Sequence, residues 1–141
     1  MKKINYEKLE KSITRLKEQY ENFSNLNKQS LSEINKEAVK ESVIQRFETC
    51  YDTLWKTLKK YLQEELGLVL PFVAPPKVIF RKFREAGLID AEDLNRLFGY
   101  IQLRIGTAHD YSLTKVEEAL DQMEDFIQDA SHIYKLLIEN K

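Results

Sequence analysis

The sequence predicts an all-α protein, a five-helix up-and-down antiparallel bundle forming one domain over residues 1–141. Three observations carry this reading. Apolar residues recur at spacings of three and four in every long segment, no segment alternates with the two-residue period of a half-buried strand, and the chain holds only 4 Gly and 3 Pro. A chain of 141 residues that is 43% hydrophobic and 32% charged can bury a real core within a single domain.

The first helix is predicted from about Tyr6 to Asn22, with Leu9, Ile13, Leu16, Tyr20 and Phe23 along one stripe. The polar run Asn22 to Ser30 ends it. A longer helix starts near Ser32 and carries Val39, Val43, Phe47, Cys50, Leu54, Leu58 and Tyr61, with Ile44, Tyr51, Trp55 and Leu62 widening its apolar face. Such width predicts a central helix buried on more than one side, against its neighbours and a second subunit. Gly67 is the expected C-terminal cap. Leu68 to Ala74 is apolar but broken by Pro71, which predicts a loop packed on the body, and Pro75-Pro76 leads into a third helix over Lys77 to Ala86. Ile79 and Phe83 face inward there, whereas Lys77, Arg81 and Arg84 share another face, a basic stripe suited to an RNA backbone or simply to solvent. Gly87 closes that helix.

Asp90 is the predicted N-cap of the fourth helix, with Glu92 and Asp93 favourable in its first turn and Leu94, Leu97, Ile101 and Ile105 on its core side. Thr114 and Glu117 have capping-box spacing, and Val116, Leu120, Met123, Ile127, Ala130 and Leu137 give a single last helix its apolar stripe. Its other face, Glu117, Glu118, Asp121, Glu124, Asp125 and Asp129, repels RNA and suits solvent or a basic partner.

A net charge of −1 gives no global pull toward nucleic acid, so RNA contact must be local. No apolar run approaches the roughly 20 residues of a membrane span, and Met1-Lys2-Lys3 leads into an amphipathic helix, so a cytoplasmic protein is expected. The single cysteine, Cys50, excludes an intramolecular disulfide and reads as a small core residue. His109 and His132 are too isolated to form a zinc site with it, and no glycine-rich phosphate loop is present.

The chemistry-bearing residues gather between Arg104 and Tyr111. Arg104 supplies a permanent cation with a planar fork, His109 exchanges a proton near neutral pH, and Tyr111 offers a phenolic hydroxyl. On a continuous helix Arg104 and His109 would lie roughly 140° apart. Either the helix ends near Gly106 and the turn returns His109 toward the guanidinium, or the two converge across a subunit interface.

Arg104, His109 and Tyr111 follow an Arg, four residues, His, one residue, Tyr pattern. The block Arg46 to Leu58 contributes Phe47-Glu48, Tyr51-Asp52 and Trp55-Lys56-Thr57-Leu58, and Pro76 to Arg81 with Ala86 to Asp90 forms a third block. Together, and in this order, they resemble the HEPN domains, in particular the nucleotidyltransferase substrate-binding proteins also described as HepT-type toxins. Ile105 stands where such proteins commonly carry a polar residue. The resemblance implies a helical bundle and a homodimer whose two motif copies face one cleft.

Two function classes stand open. The first is a toxin acting as a metal-independent endoribonuclease, needing RNA and no cofactor, with Arg104 stabilising charge on the scissile phosphate and His109 acting as general base or acid. The resemblance further implies a separately encoded minimal nucleotidyltransferase as antitoxin, which transfers AMP to Tyr111 and blocks the site with bulk and negative charge. The second is a noncatalytic substrate-binding subunit of a two-component nucleotidyltransferase, and Ile105 leans toward it. His132 and Trp55 read as structural, the latter as a packing anchor.

Overall fold

A computed structural model describes residues 4–26, 32–109 and 113–140, with the side chains of His109 and Leu113 outside the description. Among the described residues there are six helices and no strand: α1 (Tyr6–Ser24), α2 (Glu33–Glu64), α3 (Pro76–Glu85), α4 (Ala91–His109), α5 (Leu113–Asp121) and α6 (Met123–Glu139). The expectation of five helices is off by one because the last helix is two. At Gln122 the backbone N–H bonds to Ala119 O, a three-residue step that resets the ladder between α5 and α6. No Gly or Pro announces this break, and Leu120, Met123, Phe126 and Ile127 stay buried through it, so the apolar period runs on while the helix does not.

Ser32 and Asp90 start their helices as the sequence predicts, Asn5 adds a cap the sequence reading did not single out, and Thr114 is not the N-cap expected of the last helix, because α5 already begins at Leu113. Asn5 accepts from Lys8 N at 3.0 Å for α1, and Ser32 accepts from Asn35 N at 3.3 Å for α2. At α4 the box is reciprocal: Asp93 N donates to Asp90 Oδ1 at 2.8 Å and Asp90 N donates to Asp93 Oδ2 at 3.1 Å. Gly67, at φ +64°, follows the C-cap Glu65 of α2 and lets the chain turn back, with Leu68 N bonded to Leu62 O. Gly87, at φ +81°, ends α3 in the same backbone region.

Helix α2 touches every other helix and forms the axis of the bundle. Val43, Ile44, Phe47, Leu54, Leu58 and Leu62 are fully buried on it, as is Cys50, whose thiol burial pushes up to about 12 against a weaker opposing hydrogen bond from Ser12. Edge-to-face rings tie three elements together, with Phe126 of α6 at 4.9 Å from Phe47 of α2 and 5.1 Å from Tyr100 of α4. The segment Leu68 to Ala74 departs in part from its expected packing on the body. Ala74 is buried and Leu70 half-buried, but Val69, Phe72 and Val73 project into solvent. Prolines 71 and 75 withhold backbone donors and favour extended neighbours, so the segment cannot coil its apolar residues onto one face.

Among the described residues, no helix is long and apolar enough to cross a membrane.

Candidate functional site

The helix carrying the motif does not end at Gly106. α4 runs unbroken to His109, and Gly106 has no positive φ. The turn that would have folded His109 back onto Arg104 is therefore absent, and of the two routes to convergence the one through a subunit interface remains. The physical reason is that a glycine costs a helix interior only about 1 kcal/mol, which the packing of this helix outweighs.

Two stripes organise α4. Leu97, Tyr100, Arg104 and Thr107 recur at spacings of three and four, and this stripe packs inward with Leu97, Tyr100 and Thr107 buried. Tyr100 donates its hydroxyl to Asp129 of α6 at 2.6 Å, and Arg96 donates to the same carboxylate at 2.9 Å. Asp129, placed by the sequence on an acidic face suited to solvent or a basic partner, thus meets Arg96 and fastens α6 to α4. The second stripe is Leu94, Phe98 and Ile101, each half-buried, and Ile105, which is 48% exposed where the sequence predicted a core position. Position 109 continues that stripe, one turn beyond Ile105.

Arg104 is held by two carboxylates of α2. Its Nη1 donates to Glu48 Oε2 at 2.8 Å, while Nη2 and Nε donate to Asp52 Oδ2 and Oδ1 at 3.2 and 3.4 Å. The contact to Asp52 is a fork on a fork, the geometry that fixes a guanidinium plane. Thr107 Oγ1 lies 3.0 Å from Glu48 Oε2 and 3.1 Å from Arg104 O, within donating reach of either. Next to this cluster the buried Tyr51 hydroxyl is pushed up to about 12 by burial, with Asp52 adding to the shift and Arg104 opposing it.

Glu48, Asp52 and Thr107 are the site residues that sequence reasoning passed over. A signal existed. Glu48 and Asp52 are one helical turn apart and interrupt the apolar residues of α2, and charge at such positions calls for a buried partner. The three charged groups sum to −1, so Arg104 does not present an uncompensated cation to a phosphate.

The remaining predicted residues are apart from this cluster or beyond description. Lys77, Arg81 and Arg84 are exposed on α3, with the Lys77 ammonium 5.5 Å from the centre of the Phe98 ring. The His109 backbone belongs to α4, and Tyr111 lies outside the described residues. His132 is exposed, and Trp55 is half-buried at the rim of a cleft between α1 and α2.

The family described as "Nucleotidyltransferase substrate binding protein like" matches residues 4–139. The chain belongs to that family. A crystal structure of a Thermus thermophilus protein is similar to this chain at 27% identity and a TM-score of 0.74, over 92% of this chain and 98% of that one. A Haemophilus influenzae protein, described as showing the fold of the substrate-binding domain of a nucleotidyltransferase, matches at 24% identity and a TM-score of 0.81, over 94% and 98% of the two chains. A tri-AMPylated Shewanella oneidensis HEPN toxin, in complex with its MNT antitoxin, shares the fold at 15% identity and a TM-score of 0.71, over 95% of this chain and 93% of that one. No curated protein is a significant match. The chain thus has the HEPN-type helical fold, shared by a toxin and by a nucleotidyltransferase's substrate-binding domain.

Proposed function

We propose that this protein is the toxin of a cytoplasmic toxin–antitoxin pair, a homodimeric endoribonuclease that works without metal or cofactor and is neutralised by a cognate minimal nucleotidyltransferase acting on Tyr111. The observation that carries it is the pair of stripes on α4. The inward stripe fixes Arg104, and the half-exposed stripe of Leu94, Phe98, Ile101 and Ile105 runs on to position 109. A second copy packed on the apolar stripe covers Ile105 and brings the two motif histidines to one cleft, with an Arg104 on either side. This supplies the two proton-transfer groups that one chain lacks.

In that cleft a ribose 2′-oxygen attacks the adjacent phosphorus as one His109 takes the 2′ proton, and the 2′-O–P bond forms. The P–O5′ bond breaks, and the departing 5′-oxygen takes a proton from the partner's His109 in its imidazolium form. Arg104 stabilises the negative charge gathered on the phosphoryl oxygens. The products are a 2′,3′-cyclic phosphate and a 5′-hydroxyl. Lys77, Arg81 and Arg84 serve at most as outlying phosphate contacts. AMP on Tyr111, two residues beyond His109, places a further phosphate against the same cations and closes the site to RNA.

The binding-subunit reading is favoured by one observation, the engagement of Arg104 by both Glu48 and Asp52. Cleavage of RNA in excess chelator separates the two. The expected result is cyclic-phosphate ends from the wild type and their loss in folded His109→Ala and Arg104→Ala variants. A requirement for magnesium, or cleavage that persists in both variants, refutes the chemistry. A folded wild type that cuts no RNA yet binds the transferase establishes the binding subunit.

A further inference from the structure

The strongest concentration of positive charge lies on neither the motif nor α3. A cleft of about 590 Å³ between the start of α1 and the second half of α2 is lined by Lys8, Lys56, Lys59 and Lys60. It adjoins a second cleft of about 480 Å³, lined by Lys8, Lys11, Arg15 and Arg46, and the two share Lys8, Thr49 and Thr53. The result is one groove along the α1–α2 seam with seven cationic side chains and one carboxylate, Asp52, in its walls. Among the described residues, Lys11 is the one cation of the seven in an ion pair, with Glu7 at 3.0 Å. In a chain of net charge −1, this is a local asymmetry.

The sequence builds the groove from small residues at helical spacing. Thr49, Thr53 and Thr57 on α2 face Ser12 on α1, leaving a trough where larger side chains would have filled the seam. Each hydroxyl donates within its own helix: Thr49 to Gln45 O at 3.2 Å, Thr53 to Thr49 O at 2.8 Å, Thr57 to Thr53 O at 2.7 Å and Ser12 to Leu9 O at 2.8 Å. The floor is satisfied by the protein, and the cations stand on the rims. From Arg46 to Lys60 the basic rim of α2 runs about 21 Å at 1.5 Å per residue.

One wall residue belongs to two sites. Asp52 lines the groove and also accepts the fork of Arg104, so the trough opens beside the motif arginine. Trp55 also lines the trough near Asp52, with Lys56 Nζ 5.8 Å from its ring centre, an aromatic face beside a cation as single-stranded nucleic-acid sites employ.

We propose that the α1–α2 groove binds the sugar–phosphate backbone of single-stranded RNA and delivers it to Arg104. This deepens the ribonuclease reading and rests on it for the fate of the strand, but binding is measurable without cleavage. Lys8, Lys56, Lys59 and Lys60, none of them in an ion pair among the described residues, match a polyanion in kind.

The test is fluorescence anisotropy of a labelled 12-nucleotide single-stranded RNA against the full-length protein, over a salt series in chelator. Wild type should bind, with affinity falling as salt rises by roughly 0.7 in the log–log slope per phosphate neutralised. The Lys8→Glu, Arg15→Glu, Lys60→Glu triple variant alters exposed residues and should keep its melting temperature. It should lose at least about tenfold in affinity and about 2 in slope, three contacts at roughly 0.7 each. Lys77→Glu, Arg81→Glu, Arg84→Glu should stay within about twofold of wild type. Groove-variant binding within that same range, or no salt-dependent binding by wild type, overturns the proposal. So does a groove variant that keeps RNA but loses the cognate nucleotidyltransferase, which would make the trough a protein-docking surface. Cleavage assays on the same samples judge the other reading separately: a groove variant with a raised KM and unchanged kcat supports both. RNA that binds in the groove but is never cut leaves the groove standing and removes the nuclease.

Discussion

Replacing Arg104 tests the cluster around it before any question of activity. Arg104→Ala takes the guanidinium away from Glu48 and Asp52, which lie one turn apart with side chains 16% and 38% exposed. Breaking a fully buried pair costs about 3–5 kcal/mol and breaking a surface pair about 0–1 kcal/mol. With one carboxylate mostly buried and the other more than a third exposed, the expected loss lies between these, about 2 kcal/mol. For 141 residues, at roughly 2.1 cal/mol/K per residue, the unfolding entropy is about 0.3 kcal/mol/K, so the melting temperature should fall by about 7 °C. Arg104→Lys keeps the charge but not the fork, and should lose about half as much.

The decisive comparison is the triple variant Arg104→Ala, Glu48→Gln, Asp52→Asn, measured by thermal and urea unfolding. Removing the two carboxylate charges should return at least half of the loss, because the penalty lies in carboxylates deprived of the guanidinium more than in missing contacts. A single Arg104→Ala that melts within about 2 °C of wild type, or a triple variant no better than the single, would falsify the account of a carboxylate-held arginine. The same measurement decides whether lost cleavage in Arg104→Ala reports chemistry or folding.

Gly106→Ala should stabilise the protein by about 0.5–1 kcal/mol, since α4 is helical there and a Cβ meets nothing within 4 Å. A loss of similar size would show a helix-ending glycine after all. Light scattering should give twice the 16.7 kDa chain mass, and Ile105→Glu, which puts a charge on the half-exposed stripe, should give the monomer; a wild type monomeric at micromolar concentration removes the two-histidine site. Incubation with the cognate nucleotidyltransferase, ATP and magnesium should add AMP to the peptide containing Tyr111 and leave Tyr111→Phe unmodified. Modification elsewhere, or none, reduces the partner to a binding antagonist.

Much of the bundle was legible because periodicity and caps are local signals. Leu9, Ile13 and Leu16 on α1, the apolar run of α2, the Ser32 and Asp90 caps and the two left-handed glycines all lie where three- and four-residue spacing puts them. What escaped depends on neighbours. The Gln122 break sits inside an uninterrupted apolar period, and Gly106 stays helical because tertiary packing overrides a propensity of about 1 kcal/mol. Ile105 has the right spacing for one stripe and belongs to the other. The pairing of Arg104 with Glu48 and Asp52 joins residues 56 and 52 positions apart, and no local pattern contains it.

The same pairing bears on how a phosphate is held here at all. A motif arginine paired with two carboxylates meets an incoming phosphodiester with both of them already close, and Coulomb repulsion at a few ångströms offsets much of what the guanidinium gains. The α1–α2 groove answers that difficulty from the other side of Asp52. Its seven cations line the trough that shares Asp52 with the cluster, so on this proposal a strand lying there is neutralised before its scissile phosphate reaches Arg104. Glu48 and Asp52 then hold the guanidinium plane in place while the groove supplies the attraction, which separates orientation from affinity. On this division of labour an isolated dinucleotide, too short to occupy the groove, is a far poorer substrate than a longer strand with the same scissile bond. High salt erodes KM for the long strand well before it touches kcat.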